Sequence, residues 1–238
     1  MDEINSFKKG LKDGLPICIG YFSVAFAFGI FAIENGLTVF QAVIISLLNL
    51  TSEGQLAAVP IIAGGRTIFE LALSQLVINS RYSLMSVSLS QKFSQNVKLP
   101  QKLLIAYGNT DEIFAVSVSN KGEVGTKYML GIILLPVIGW TSGTLVGGVA
   151  GNVLPPIVTA ALGVAIYGMF TAIVVPVAKK EKMTALCVLL AIAISCAFRY
   201  IPLLKVVPTG FTVIICAVVA SAIFAIIAPI KAEEKEAE

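Results

Sequence analysis

Ala42-Val43-Ile44-Ile45-Ser46-Leu47-Leu48-Asn49-Leu50-Thr51-Ser52-Glu53-Gly54-Gln55-Leu56-Ala57-Ala58-Val59-Pro60-Ile61-Ile62-Ala63 is an apolar run of membrane-spanning length with a polar interruption at its centre. The same design recurs at Leu103-Leu104-Ile105-Ala106-Tyr107, where Gly108-Asn109-Thr110-Asp111-Glu112 interrupts and Ile113-Phe114-Ala115-Val116 resumes. Ser52-x-x-Gln55 and Asn109-x-x-Glu112 each have the form of a capping box, in which side chains satisfy the free N–H groups that open a helix. A helix that begins inside a bilayer is tolerated only where its end lines a cavity or is buried in protein. In transporters such interruptions mark the substrate or ion site. The two breaks are therefore the first place to look for a cargo.

Composition agrees with a membrane setting. The 238 residues are 57% hydrophobic and 13% charged, and mean hydropathy is +0.90, whereas soluble domains carry about 25% charged residues. The charges fall in short clusters between apolar runs, each run near the ~20 residues that cross a hydrocarbon core. The expected fold is an all-α polytopic bundle of six to eight transmembrane segments, two of them broken or re-entrant near Ser52 and Asn109. Nothing resembles a basic face for nucleic acid. The chain has no histidine, which excludes His-based zinc sites, Ser-His-Asp hydrolysis and imidazole proton relays. Cys18, Cys187, Cys196 and Cys216 lie in apolar runs without C-x-x-C spacing and read as small buried hydrophobes. No metal, cofactor or enzymatic role is expected.

Residues 1–14 form a cytoplasmic N-terminal segment, 15–229 a single transport domain and 230–238 a charged tail. The spans expected are about Leu15 to Ile33, Phe40 to Ala63, Thr67 to Leu89, Leu103 to Ser119, Tyr128 to Ala150, Ile157 to Ala178, Met183 to Tyr200 and Thr209 to Ile227. If all eight cross, Lys92, Lys98 and Lys102 fall outside, against the positive-inside tendency. If both broken segments are re-entrant hairpins entering from opposite faces, those lysines join Lys121, Lys127 and the Lys179 cluster inside. The hairpin arms, of about ten residues, would then reach only ~15 Å. Both arrangements leave the termini cytoplasmic, and both stay open. Gly139, Gly143, Gly147, Gly148 and Gly151 suit close helix packing, read as internal to the bundle rather than for a partner.

Five motifs stand in order: Gly14-Leu15-Pro16 with Gly20-Tyr21-Phe22-Ser23-Val24-Ala25-Phe26-Ala27-Phe28-Gly29; Ser52-Glu53-Gly54-Gln55; Ile78-Asn79-Ser80-Arg81-Tyr82; Ala106-Tyr107-Gly108-Asn109-Thr110-Asp111-Glu112-Ile113-Phe114-Ala115; and Ala160-Ala161-Leu162-Gly163. Together they resemble the AzlC family, the large subunit of branched-chain amino acid exporters. The resemblance implies a multi-pass protein of the bacterial cytoplasmic membrane that exports leucine, isoleucine, valine or analogues such as azaleucine. It also implies a small AzlD-type membrane subunit as partner.

A zwitterion with an aliphatic side chain needs an anion receptor, an amine receptor and an apolar pocket. The N–H groups after Ser52 and Asn109 suit the first, with Arg81 as a two-donor reserve. Glu53 at mid-depth costs a few kcal/mol even on insertion scales, more than the ~0.3–1 kcal/mol a first-turn acid contributes. It is the first candidate to hold an amine or a proton. The substrate-binding set is Ser52, Glu53, Gly54, Gln55, Asn79, Arg81, Asn109 and Thr110, with Tyr82 assisting. The proton-coupling set is Glu53, Asp111 and Glu112. Acids beside helix openings repel a carboxylate unless protonated, so proton occupancy would gate binding and give antiport. A channel-like pore for small polar solutes is the alternative.

Overall fold

The computed structural model describes residues 5–120, 122–155, 157–158, 171, 174–175, 178–179, 181–207 and 209–227. Most of the sixth expected span, with Ala160-Ala161-Leu162-Gly163, and the tail 230–238 lie outside the described residues. The helices are α1 (Phe7–Glu34), α2 (Val39–Leu48), α3 (Ser52–Ala63), α4 (Ile68–Ser90), α5 (Leu99–Tyr107), α6 (Asp111–Ser119), α7 (Thr126–Val153), α8 (Lys182–Tyr200) and α9 (Thr209–Ile227). A short 3-10 turn, Pro202–Val206, separates the last two. The fold is all-α, and α1, α7 and α8 are long and apolar enough to cross a bilayer.

The axis of the bundle is the α1–α7 pair, and glycine makes it. A Cβ placed on Gly14 would lie 2.7 Å from the Ile132 carbonyl oxygen, and one on Gly139 would lie 2.5 Å from that of Cys18. One on Gly29 would meet the Gly148 nitrogen at 2.6 Å. Gly143 and Gly147 press in the same way on the carbonyls of Phe22 and Phe26. Residue numbers rise together along the two helices, so they are parallel. Glycine stripes let the backbones touch where lipid offers no hydrophobic drive for packing. The glycine pattern of the fifth expected span thus packs inside the chain.

Both interrupted segments fold back on themselves. In the first, the Gln55 amide nitrogen of α3 donates to the Ser46 hydroxyl of α2 at 2.7 Å, and Val59 shares a buried cluster with Ala42, Leu37 and Phe28. The return arm α3 therefore retraces α2. A capping box at Thr38 and Gln41 starts the hairpin. A Schellman motif ends it, with Gly65 at φ +61° and Arg66 N–H bonded to the Ile61 carbonyl. In the second, Gln101 at the start of α5 accepts from the Thr126 hydroxyl, and Asn120 just past α6 donates to the Tyr128 hydroxyl. Both feet of that hairpin stand beside the first turns of α7.

The first hairpin rises from the carboxyl ends of α1 and α7, the second from their amino ends, and α4 runs between the two sides. Full crossing by these segments is set aside; the re-entrant arrangement is the one built. Arms of 9 to 12 residues bring their tips only to the middle. Lys9, Lys12, Lys92, Lys98, Lys102 and Lys127 gather at the amino end, and Arg66 stands at the other.

Candidate functional site at the hairpin tips

The tips meet halfway along the α1–α7 axis. The Tyr107 hydroxyl, closing α5, donates to the Leu47 carbonyl, which the end of α2 leaves without an intrahelical partner. Beside them opens a cavity of about 710 Å³. Its walls differ in chemistry. Pro16, Ile17, Gly20 and Val24 of α1, Trp140 of α7 and Leu50 of the first tip form an apolar wall; Ser52, Glu53, Arg81, Tyr82, Thr110, Asp111 and Glu112 form a charged one. Tyr21 joins the two: its ring meets Trp140 edge-on with centroids 5.1 Å apart, and its hydroxyl donates to Glu112 at 2.5 Å.

Arg81, just past the midpoint of α4, organises the acids. Its Nη1 reaches both oxygens of Asp111, at 2.7 and 2.6 Å. Its Nη2 reaches Glu53 at 3.3 Å and the Tyr82 hydroxyl at 3.0 Å. The guanidinium carbon lies 4.6 Å from the centroid of the Tyr82 ring. One arginine thereby ties the first turn of α3 to the first turn of α6. Glu112 stands apart, bonded to a phenol and, among the described residues, to no cation. With every acid ionised, the charged wall carries two negative charges in excess. Among the described residues, no group of three or more His, Cys, Asp or Glu side chains is arranged to hold a metal ion.

The expected capping boxes do not form. Thr51 and Thr110 are the residues that precede α3 and α6, and neither side chain caps its helix. Gln55 turns instead into a fully buried file with Ser46 and Thr144, whose hydroxyls lie 2.6 Å apart. Glu112 turns to Tyr21. Each helix opens one residue away from the expected cap, which puts Gln55 at the fourth helical position and Glu112 at the second, and a box closes at the third. Among the described residues no side chain caps the first N–H groups of α3 and α6, which belong to residues at the edge of the cavity.

Of the candidate site residues, Ser52, Glu53, Arg81, Thr110, Asp111 and Glu112 line the cavity, and Gly54, Gln55, Asn79 and Asn109 do not. Gly54 and Asn79 belong to an amide cluster that closes the back of the first break. Gln75 is its hub, accepting from Asn49 at 3.0 Å and Asn79 at 3.1 Å and donating to the Gly54 carbonyl at 2.9 Å. Asn109 faces away, bonded to Ser86 at 3.2 Å, at the floor of a separate 170 Å³ pocket. Sequence reading missed Tyr21, Gln75 and Trp140. Gln75 stands one turn before Asn79 on the polar face of α4, a period-four signal that was there to use; Tyr21 stood only within the first family motif, and Trp140 carried no signal.

The AzlC protein family model matches residues 16–154, which hold both hairpins and every cavity-lining residue. The chain belongs to the AzlC family. Relatives include the inner membrane protein YgaZ of Escherichia coli, 31% identical over 79% of this chain and 78% of its own length. An uncharacterized membrane protein of Archaeoglobus fulgidus is 32% identical over 75% and 79%. The branched-chain amino acid transport protein AzlC of Bacillus subtilis is 22% identical over 62% and 58%. No solved structure matches the chain. As an AzlC-family membrane protein it belongs to a transport-associated group, and its cavity sits where the two re-entrant hairpins of the matched region meet.

Proposed function

We propose that this AzlC-family chain is the large subunit of a secondary transporter that exports leucine, isoleucine, valine or close analogues in exchange for protons. In this reading it works with a small AzlD-type membrane subunit in a bacterial cytoplasmic membrane. The lysines gathered at the amino end support a cytoplasmic N-terminus. The observation that carries the proposal is the two-walled cavity. At about 710 Å³ it falls within the ~300–1,000 Å³ usual for small-ligand sites. Its division into charged and apolar halves suits a zwitterion with an aliphatic side chain.

The roles follow from the partners. The uncapped N–H groups of α3 and α6 receive the cargo carboxylate, helped by Arg81. Glu112, which meets no cation among the described residues, receives the ammonium. A proton and an ammonium compete for that one carboxylate, which is the condition for exchange rather than co-transport. Glu53 and Asp111 hold Arg81 in place and take up charge when it moves. The apolar wall receives the side chain.

The test is efflux of labelled valine, leucine and methionine from cells preloaded with dipeptides, with and without the small subunit. Saturable efflux that needs a gradient supports the transporter and separates it from a channel-like pore. Retention of cargo in both cases rejects the assignment.

A further inference from the structure

Glycine inside a helix is unfavourable by about 1 kcal/mol relative to alanine, so a glycine in mid-helix calls for a reason. Gly10, Gly14 and Gly29 of α1 have one, because a Cβ there would strike the α7 backbone. Gly36, Gly65 and Gly122 have another, positive φ. Gly20 has neither. It lies within α1, and a Cβ built on it would meet nothing within 4 Å. It does line the cavity. Pro16 and Val24, one turn to either side, line the same wall, as residues four apart on a helix share a face. Gly20 is therefore a notch, one side chain deep, in the apolar stripe that Pro16 and Val24 carry along this face of α1.

We infer that Gly20 is the specificity-determining position of the cavity, its missing side chain leaving the space that the branched end of an aliphatic amino acid fills. The inference rests on the amino-acid reading given above. The charged groups hold the cargo's head against α3, α4 and α6, so its side chain must extend toward α1. Filling the notch with protein atoms removes room from the cargo and from nothing else.

The experiment compares wild type, Gly20→Ala and Gly20→Val in the efflux assay with labelled leucine, isoleucine and valine as the cargoes, the intact chain and the small subunit being co-expressed. Gly20→Val lowers leucine and isoleucine efflux by roughly 10- to 200-fold, the range for methylene-sized mismatch in an apolar pocket, and valine efflux less. Gly20→Ala gives a smaller change of the same order. The melting temperature of Gly20→Ala in detergent stays level or rises, because the added Cβ meets no protein atom within 4 Å. Equal losses for all three cargoes, or none, in a folded Gly20→Val protein overturn the inference. Gly20→Cys, in a chain whose four native cysteines are replaced by alanine, separates this from failure of the transport reading. If wild type exports no branched-chain amino acid, labelling of Gly20→Cys by a charged, membrane-impermeant thiol reagent keeps Gly20 on a solute path and rejects only the cargo. No labelling overturns both.

Discussion

Removing Arg81 should release the two hairpin tips from each other, and a double-mutant cycle measures by how much. Arg81→Ala deletes two hydrogen bonds to Asp111, at 2.7 and 2.6 Å, and one to Glu53 at 3.3 Å. It also leaves Glu53, Asp111 and Glu112 facing one another without a cation. The side chains of Arg81, Glu53 and Asp111 are 42%, 42% and 46% exposed, so water in the cavity screens them. A fully exposed pair is worth ~0.2–1 kcal/mol, and breaking a buried pair costs ~3–5 kcal/mol. The two short bonds to Asp111 in a concave, half-shielded site belong between, with a coupling of about 1–2 kcal/mol by those limits. Arg81→Ala should destabilise more than Asp111→Ala, because the second leaves the guanidinium with Glu53 whereas the first leaves acids in mutual repulsion. Urea unfolding in detergent micelles, on wild type, both single variants and the double variant, gives the coupling directly. Independent sites add to within ~0.3–0.5 kcal/mol. Additivity within that margin would refute the clamp and leave the tips held by Tyr107 and apolar packing alone.

Glu112→Gln should abolish the dependence of efflux on the proton gradient and raise the cargo concentration needed for half-maximal efflux, because proton and ammonium share that carboxylate; efflux that still follows pH removes Glu112 from the proton step. Gly147→Ala should destabilise the fold by about 1–3 kcal/mol, the usual range for overpacking, since the added methyl falls on the Phe26 carbonyl; an unchanged thermal midpoint would contradict the packing of α1 on α7. Gln75→Leu strips partners from Asn49, Asn79 and the Gly54 carbonyl, for a loss of ~1–3 kcal/mol, and should speed hydrogen exchange across residues 49–55. Cysteines at Gly36 and Gly65 should react with an impermeant reagent from one face of the membrane, and cysteines at Gln101 and Glu123 from the other; reaction of the first pair from opposite faces would restore a full crossing.

The sequence placed the breaks within a residue or two because an acid, an amide and a glycine together cannot continue an apolar span without cost. It placed α1, α4, α7, α8 and α9 by hydrophobic length. The choice between crossing and re-entry was legible only through lysine counts, a weak statistical force acting on loops. What settles it are contacts such as Gln55 with Ser46 and Gln101 with Thr126, separated by 9 and 25 residues, which no hydropathy window can register. The glycines of α7 announced close packing but not their partner. The complementary stripe on α1 identifies it, and that stripe becomes visible only when the two helices are set in parallel.

The site was legible on its charged side and hidden on its apolar side. An acid or arginine at mid-depth signals itself by its cost; a wall of Ile17, Val24, Leu50 and Trp140 looks like any lipid-facing run. Tyr21 reaches Glu112 across 91 residues of chain, so its role is a property of the fold alone. The capping motifs show how local chemistry can be right in kind and wrong in partner. The helices open after Thr51 and Thr110, so Gln55 and Glu112 fall at the fourth and second helical positions and miss the third, where a box closes. A capping bond satisfies one backbone donor, worth about 1 kcal/mol, and water in a cavity does that nearly as well. A buried Ser46–Thr144 pair or a phenol against a carboxylate has no such substitute. Gln55 therefore goes where water cannot, Glu112 stays on the cavity with Tyr21 as its partner, and among the described residues no side chain caps the helix openings at the two tips.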